Sequence, residues 1–179
     1  MSEKRIASRY AKSLIDLAVE RNMLEKIFED IRFFNATCKQ NPEIENVFKS
    51  PIINLDKKQQ IVSGIFKSKI DPLTASFFDI IVKKNRSNYL LAVADEFIAQ
   101  YMEIKNIASA TVSTANPLSD VVKAEIGKVL QKQTGKTIEL ASKVDKSLIG
   151  GLVVQMGDRL YDASIRTKIK NLRRELIGK

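Results

Sequence analysis

Apolar residues recur at steps of three and four along the first hundred positions, and past Asn106 the spacing shortens to alternation. The first rhythm belongs to helices with one buried face, the second to half-buried strands. Residues 4–22 predict a helix on which Ala7, Tyr10, Ala11, Leu14, Leu17 and Ala18 form a stripe about 120° wide. Ile6, Ile15 and Val19 widen that stripe to about 220°, leaving only a narrow polar strip of Arg5, Arg9, Lys12, Asp16 and Glu20. Residues 24–39 predict a second helix on Leu24, Ile27, Phe28, Ile31, Phe34 and Cys38. Asn41-Pro42 reads as a cap followed by proline at the first helical position, opening a short third helix that Ser50-Pro51 closes. A fourth helix opens at Asn54 or Asp56, with Ile61, Val62, Ile65 and Phe66 on one face. Asp71-Pro72 repeats the capping device ahead of a fifth helix over 72–84. There Leu73, Ala75, Phe77, Phe78, Ile80, Ile81 and Val82 again spread over about 220°. After an Asn85–Asn88 turn, a sixth helix runs to about residue 104.

Ala108, Ala110, Val112 and Thr114 alternate with Ser109, Thr111 and Ser113, as a strand requires. Ser119 caps a helix that carries Val122, Ile126, Val129 and Leu130 and ends at Gly135. Ile138 and Leu140 mark a second strand. Leu152-Val153-Val154 and Leu160-Tyr161 flank Gly157-Asp158, the signature of a tight hairpin. The last helix carries Ile165, Ile169, Leu172 and Leu176 on one face, with Asp162 or Ser164 at its start and Gly178 past its end. The expected fold is therefore mainly α. An N-terminal six-helix bundle (1–104) precedes a small α/β C-terminal domain (105–179) of order β-α-β-β-β-α.

The chain has 179 residues, 44% hydrophobic and 28% charged, which suffices for one large or two small cores. No 18-residue apolar run is present, so no membrane span is expected, and no signal-peptide core stands at the N-terminus. Histidine is absent and Cys38 is the lone cysteine, so neither a His-based triad nor a zinc site of Cys and His is expected. No phosphate-binding glycine loop is present, and Gly150-Gly151 reads as a place of close backbone approach or a bulge in a strand. No catalytic residue, cofactor or metal is expected. The net charge of +9, from 30 basic and 21 acidic residues, fits a solvated face or an acidic partner. Arg166, Lys170, Arg173 and Arg174 crowd one flank of the last helix. A basic nucleic-acid-binding adaptor is the rival reading; it lacks aromatic residues on that helix for stacking bases.

The run KVDKSLIGGLVV…GD…YDASIR…L within residues 143–177, together with RYAKSLIDLAVE near the N-terminus, resembles the delta subunit of F-type ATP synthases. The mitochondrial relative in that family is the oligomycin-sensitivity-conferring protein. The signature positions in this sequence are Gly150, Gly151, Gly157, Asp158, Asp162 and Arg166. The resemblance implies a non-catalytic connector in the peripheral stalk, coupling hydrogen ion transport to ATP synthesis. It also implies one copy per complex, at the cytoplasmic face of the cell membrane, with the membrane reached only through the complex. Its implied partners are the N-terminal segment of an alpha subunit and the b subunits, with no nucleic acid. The wide apolar faces of the first and fifth helices are then the expected groove for the alpha segment. Its expected lining is Tyr10, Leu14, Leu17, Ala18, Phe77, Phe78, Ile81 and Val82, with Phe78 as anchor.

Overall fold

The computed structural model describes residues 3–177, and the chain divides after Met102 into two compact units. The first is wholly helical: α1 (Glu3–Glu20), α2 (Leu24–Gln40), α3 (Pro42–Lys49), α4 (Leu55–Phe66), α5 (Pro72–Lys83) and α6 (Leu90–Ile104), with a 3-10 turn at Ser87–Tyr89 before α6. Asp71 caps α5 by accepting from the Leu73 N–H at 2.9 Å, as its place before a proline predicts. Asn41 precedes α3, but its amide turns back to donate to the Thr37 carbonyl, so it caps nothing ahead of it. Three helices run out into an asparagine in the left-handed region, α6 at Asn106 (φ 55°) among them. Asn22 (φ 54°) and Asn85 (φ 55°) are each followed by a residue whose N–H reaches five residues back, Met23 to Ala18 and Arg86 to Ile81. This closure satisfies carbonyls that a helix end would leave bare.

Phe34 of α2 is the hub of the first core. Its ring centroid lies 4.5 Å from that of Phe78, 4.9 Å from Phe66 and 6.2 Å from Phe48, which joins α5, α4 and α3 to α2. Leu14, Ile15, Ala18, Ile81, Val82, Val93 and Phe97 are buried in the same unit. Three polar side chains inside the bundle make specific hydrogen bonds, although Asn35 Oδ1 is left without a partner among the described residues. Asp30 of α2 accepts from the Asp71 N–H (2.7 Å) and the Thr74 hydroxyl (2.8 Å), and so tethers the first turn of α5. Lys58 of α4 donates to the Phe48 carbonyl (2.9 Å) and to the Ser87 hydroxyl (3.0 Å), which itself donates to Phe48 O. Burial lowers the Lys58 pKa. Asn35 donates to Asp95 at 2.8 Å, tying α2 to α6.

The second unit holds β1 (Ile107–Thr114), α7 (Asp120–Thr134), β2 (Thr137–Val144), β3 (Leu152–Met156), β4 (Arg159–Asp162) and α8 (Ile165–Ile177), the order the periodicity predicts. Its strands form one mixed sheet of order β2-β1-β3-β4, with β1 and β2 parallel across the α7 crossover. Met156 pairs with Arg159, leaving Gly157 (φ 56°) and Asp158 as a two-residue turn. Ser119 caps α7 through Val122 N–H, and Gly135 closes it at φ 68°. The buried core is small: Ala110, Val112, Leu130 and Val154, covered by Ile126, Ile138, Leu140, Leu152 and Met156. Gly178, expected just past the last helix, lies outside the described residues.

Phe78→Ala should lower the unfolding free energy by about 3–5 kcal/mol, read from urea titration, because it opens a cavity against Phe34. The Lys26–Asp71 pair (2.7 Å) links pH to stability. The Lys26 ammonium, then the Leu73 N–H, lowers the Asp71 pKa, and Asp71 raises that of Lys26. The Asp71 contribution is whole above the ordinary aspartate value of about 3.9 and is lost as pH falls through the lower folded value. The Lys26 contribution is whole below about 10.4 and is lost as pH rises through the higher folded value. The stability gap between the native chain and Asp71→Asn should therefore be widest between these limits and close in strong acid.

Candidate functional site

The first unit leaves a seam open where α1 and α5 lie side by side. Ile6, Tyr10, Ser13 and Leu17 recur along α1 at steps of four, three and four, which is one helix face. Leu73, Phe77 and Ile80 face it from α5. Tyr10 and Phe77 meet edge to face at 6.4 Å, joining the two rows. A cleft of about 430 Å³ lies at one end, lined by Leu17, Arg21, Met23, Leu73, Phe77 and Ile80 among others. A second, of about 510 Å³, lies at the other end, lined by Ile6, Arg9, Tyr10, Ser13 and Arg86. The start of α1 and the end of α5 thus share one end of the seam, so the two helices run antiparallel along it. Ile80 is 49% exposed and Val19 52%, large apolar surface left in water by this unit.

Of the eight residues expected to line a groove, the structure brings three to this seam: Tyr10, Leu17 and Phe77, all half-buried. The other five are corrected. Leu14, Ala18, Phe78, Ile81 and Val82 are no more than 1% exposed and pack in the bundle core. An apolar arc of about 220° includes both an inward and an outward side, and period alone cannot tell them apart. Adjacent residues such as Phe77 and Phe78 sit about 100° apart on the helix, so one enters the core and the other lines the seam. Ile6 and Ile80 belong to the apolar rows named above, whereas Arg86 read only as part of a turn.

In the second unit, α8 presents an uncovered stripe. Ile165, Ile169, Leu172 and Leu176 are all exposed, Ile169 at 53% and Leu176 at 81%. Arg166, Lys170, Arg173 and Arg174 flank them on the same helix. The start of α8 is held firmly. Ser164 accepts from Thr167 N–H at 3.2 Å, while Asp162 accepts from Ser164 N–H (2.8 Å) and the Thr167 hydroxyl (2.7 Å). Those hydroxyl and amide donors, Thr167 first, lower the Asp162 pKa.

The glycine pair explains where α8 begins. Gly151 has φ 79°, and a Cβ there would stand 2.5 Å from the Ala163 carbonyl oxygen. A Cβ on Gly150 would meet the Ile165 side chain at 2.6 Å. Gly150 O accepts from Ile165 N–H at 3.0 Å and Leu152 O from Ala163 N–H at 2.9 Å. Of the two readings the sequence allows for this pair, close backbone approach is the one the structure contains, and β3 begins only after it, at Leu152. Ile149 just before it is held at φ 66°, a costly conformation for a β-branched residue, with its side chain 69% exposed. Among the described residues no group of three or more His, Cys, Asp or Glu side chains converges, and no helix is long and apolar enough to cross a membrane.

The apolar strips left open on α1, α5 and α8 are helix faces of the kind that receive another protein's helix. Comparison with known proteins gives the family. The family model described as ATP synthase delta (OSCP) subunit matches residues 6–176. ATP synthase subunit delta of Chlorobaculum tepidum is 36% identical over 178 residues, covering 99% of this chain and 98% of its own. That of Cytophaga hutchinsonii is 34% identical over 173 residues, covering 97% and 94%. A chain of the Toxoplasma gondii mitochondrial ATP synthase hexamer superposes with a TM-score of 0.71 at 27% identity, over 96% of this chain and 97% of that one. The chain belongs to the ATP synthase delta (OSCP) subunit family.

Gly151→Ala should destabilise the second unit by about 2 kcal/mol or more, since its Cβ meets backbone and its φ is positive. Hydrogen exchange should show lost protection in β3 and the start of α8, with the amides of α1 to α6 unchanged.

Proposed function

We propose that this chain is the delta subunit of an F-type ATP synthase and serves as the stator connector of its peripheral stalk. In this reading it carries no chemistry of its own. It ties the catalytic alpha-beta head to the membrane-anchored b subunits, so that the head does not turn with the rotor and ion flow drives ATP synthesis. The observation that carries the reading is the open seam between α1 and α5, joined to membership of the family. A groove between two helices is a recurrent way of holding a third, amphipathic one. The occupant we assign to it is the N-terminal segment of the alpha subunit. The uncovered face of α8, apolar in the middle and basic at the flank, is assigned to the b subunits, whose long helices would offer acidic residues beside an apolar stripe. One copy per complex then sits at the cytoplasmic face of the cell membrane and reaches the bilayer only through its partners.

A joint that resists torque must be tight, on the order of −12 kcal/mol for a nanomolar contact. The anchors are apolar side chains left in water by the bundle, not Phe78, whose removal acts on stability.

Ile80→Asp should leave the fold intact, judged by circular dichroism. It should weaken binding to heads stripped of this chain by about 2 kcal/mol or more, measured by titration calorimetry. Ile169→Asp should leave head binding unchanged and abolish co-sedimentation with membranes that carry the b subunits. Undiminished binding in both would sink the connector reading, and steeply salt-dependent binding to duplex DNA would support the nucleic-acid rival.

A further inference from the structure

The two ends of the α1–α5 seam differ in charge. At the end formed by Ile6, Arg9, Tyr10, Ser13 and Arg86, both ionisable side chains of fixed charge are arginines, and no carboxylate lines the cleft among the described residues. Arg86 is placed there by the α5 terminus. Asn85 turns the chain through the left-handed region, and the Arg86 N–H closes on Ile81 O at 3.1 Å. Its side chain then lies over the Tyr10 ring, 5.7 Å from the centroid, and one terminal nitrogen donates to the Tyr10 hydroxyl at 2.7 Å. A guanidinium has five N–H donors, so this contact orients Arg86 and leaves most of its donors turned to other acceptors. Neither Arg9 nor Arg86 has an acidic partner among the ion pairs of the described residues, whereas Lys26, Lys39 and Lys49 on neighbouring helices each have one.

We infer that Arg9 and Arg86 form a carboxylate seat at one end of the groove, which recognises an Asp or Glu on the amphipathic helix that docks there. This inference rests on the groove reading proposed above and adds the residue chemistry that the docked helix must carry. The separation of features fixes the length as well. Ile6 to Leu17 spans eleven residues of α1, or about 16 Å at 1.5 Å per residue, so the docked helix has about three turns. Its apolar residues lie over Tyr10, Leu17, Phe77 and Ile80, and its acid lies beyond them at the Arg9–Arg86 end. Charge complementarity of this kind sets register and speeds encounter, and it weakens with salt.

The test measures binding of the full chain to purified heads stripped of it, at about 50 and 500 mM salt, with native protein, Ile80→Asp, and the pair Arg9→Gln with Arg86→Gln. Thermal unfolding checks that each variant is folded, and Tyr10→Phe controls for loss of the arginine's tether alone. Native affinity should fall with salt. The double glutamine variant should bind on the order of tenfold or more weakly at low salt and should lose most of the salt dependence. Replacing acidic residues of the head's docking segment by their amides should weaken native binding and leave the double variant unaffected. Native binding that is lost in Ile80→Asp but equal, with equal salt dependence, in the double glutamine variant would overturn the carboxylate seat and leave the groove standing. Binding unchanged by Ile80→Asp would overturn both.

Discussion

Six helices cannot cover apolar arcs of about 220° on two of their members when those two lie side by side at the edge of the bundle. Each arc has one part buried in the bundle core and another part left half-covered or exposed on the seam. Phe78, Ile81 and Val82 take the inward part of α5, and Phe77, Leu73 and Ile80 are left on the seam. The same division on α1 sends Leu14, Ile15 and Ala18 inward and leaves Tyr10 and Leu17 beside the cleft. The groove proposed for the first unit follows from this excess. A bundle made only for its own stability would place polar residues where Ile80 and Val19 stand.

The placement of α5 depends in turn on a few polar bonds. Asp30 holds its first turn from α2, Asp71 caps it, and Asn85 closes its far end. These are charged or amide groups acting on helix termini, where bare N–H and C=O groups make such partners worth most. The seam is therefore framed at both ends by backbone chemistry and lined in the middle by surface the core has no use for.

Element order was largely legible from the chain, because Asp71-Pro72, Ser119, Gly135 and Gly157-Asp158 each carry a local reason to start or stop an element. The change from a three-and-four rhythm to alternation near Asn106 likewise separated the helical unit from the sheet-bearing one. What could not be read was which side of a broad apolar arc faces inward, since this depends on Phe34, far away in sequence. Lys58 and Asp30 illustrate the same limit. A lysine in a polar stretch reads as solvated, and only the tertiary fold brings Phe48 O and Ser87 to its amine. Arg86 belonged to a recognisable turn, but its position over Tyr10 is a contact across 76 residues.

The second unit is built on a thinner base. Four buried residues hold its sheet, and α8 starts from a backbone clamp at Gly150 and Gly151, with only Ile165 of its apolar stripe drawn against that clamp. A helix of thirteen residues whose apolar stripe is left mostly exposed is marginal in water.

The antiparallel run of α1 and α5 has a further effect on anything laid along them. Adjacent peptide dipoles pointing opposite ways largely cancel, so the two backbones together add almost no electrical gradient to the one that Arg9 and Arg86 set up at one end of the trough. A visiting rod of helix would feel little preference for heading up or down from the scaffold itself. Its sense of direction then rests on side chains, in the apolar rows and at the rims, and not on the peptide backbone beneath them.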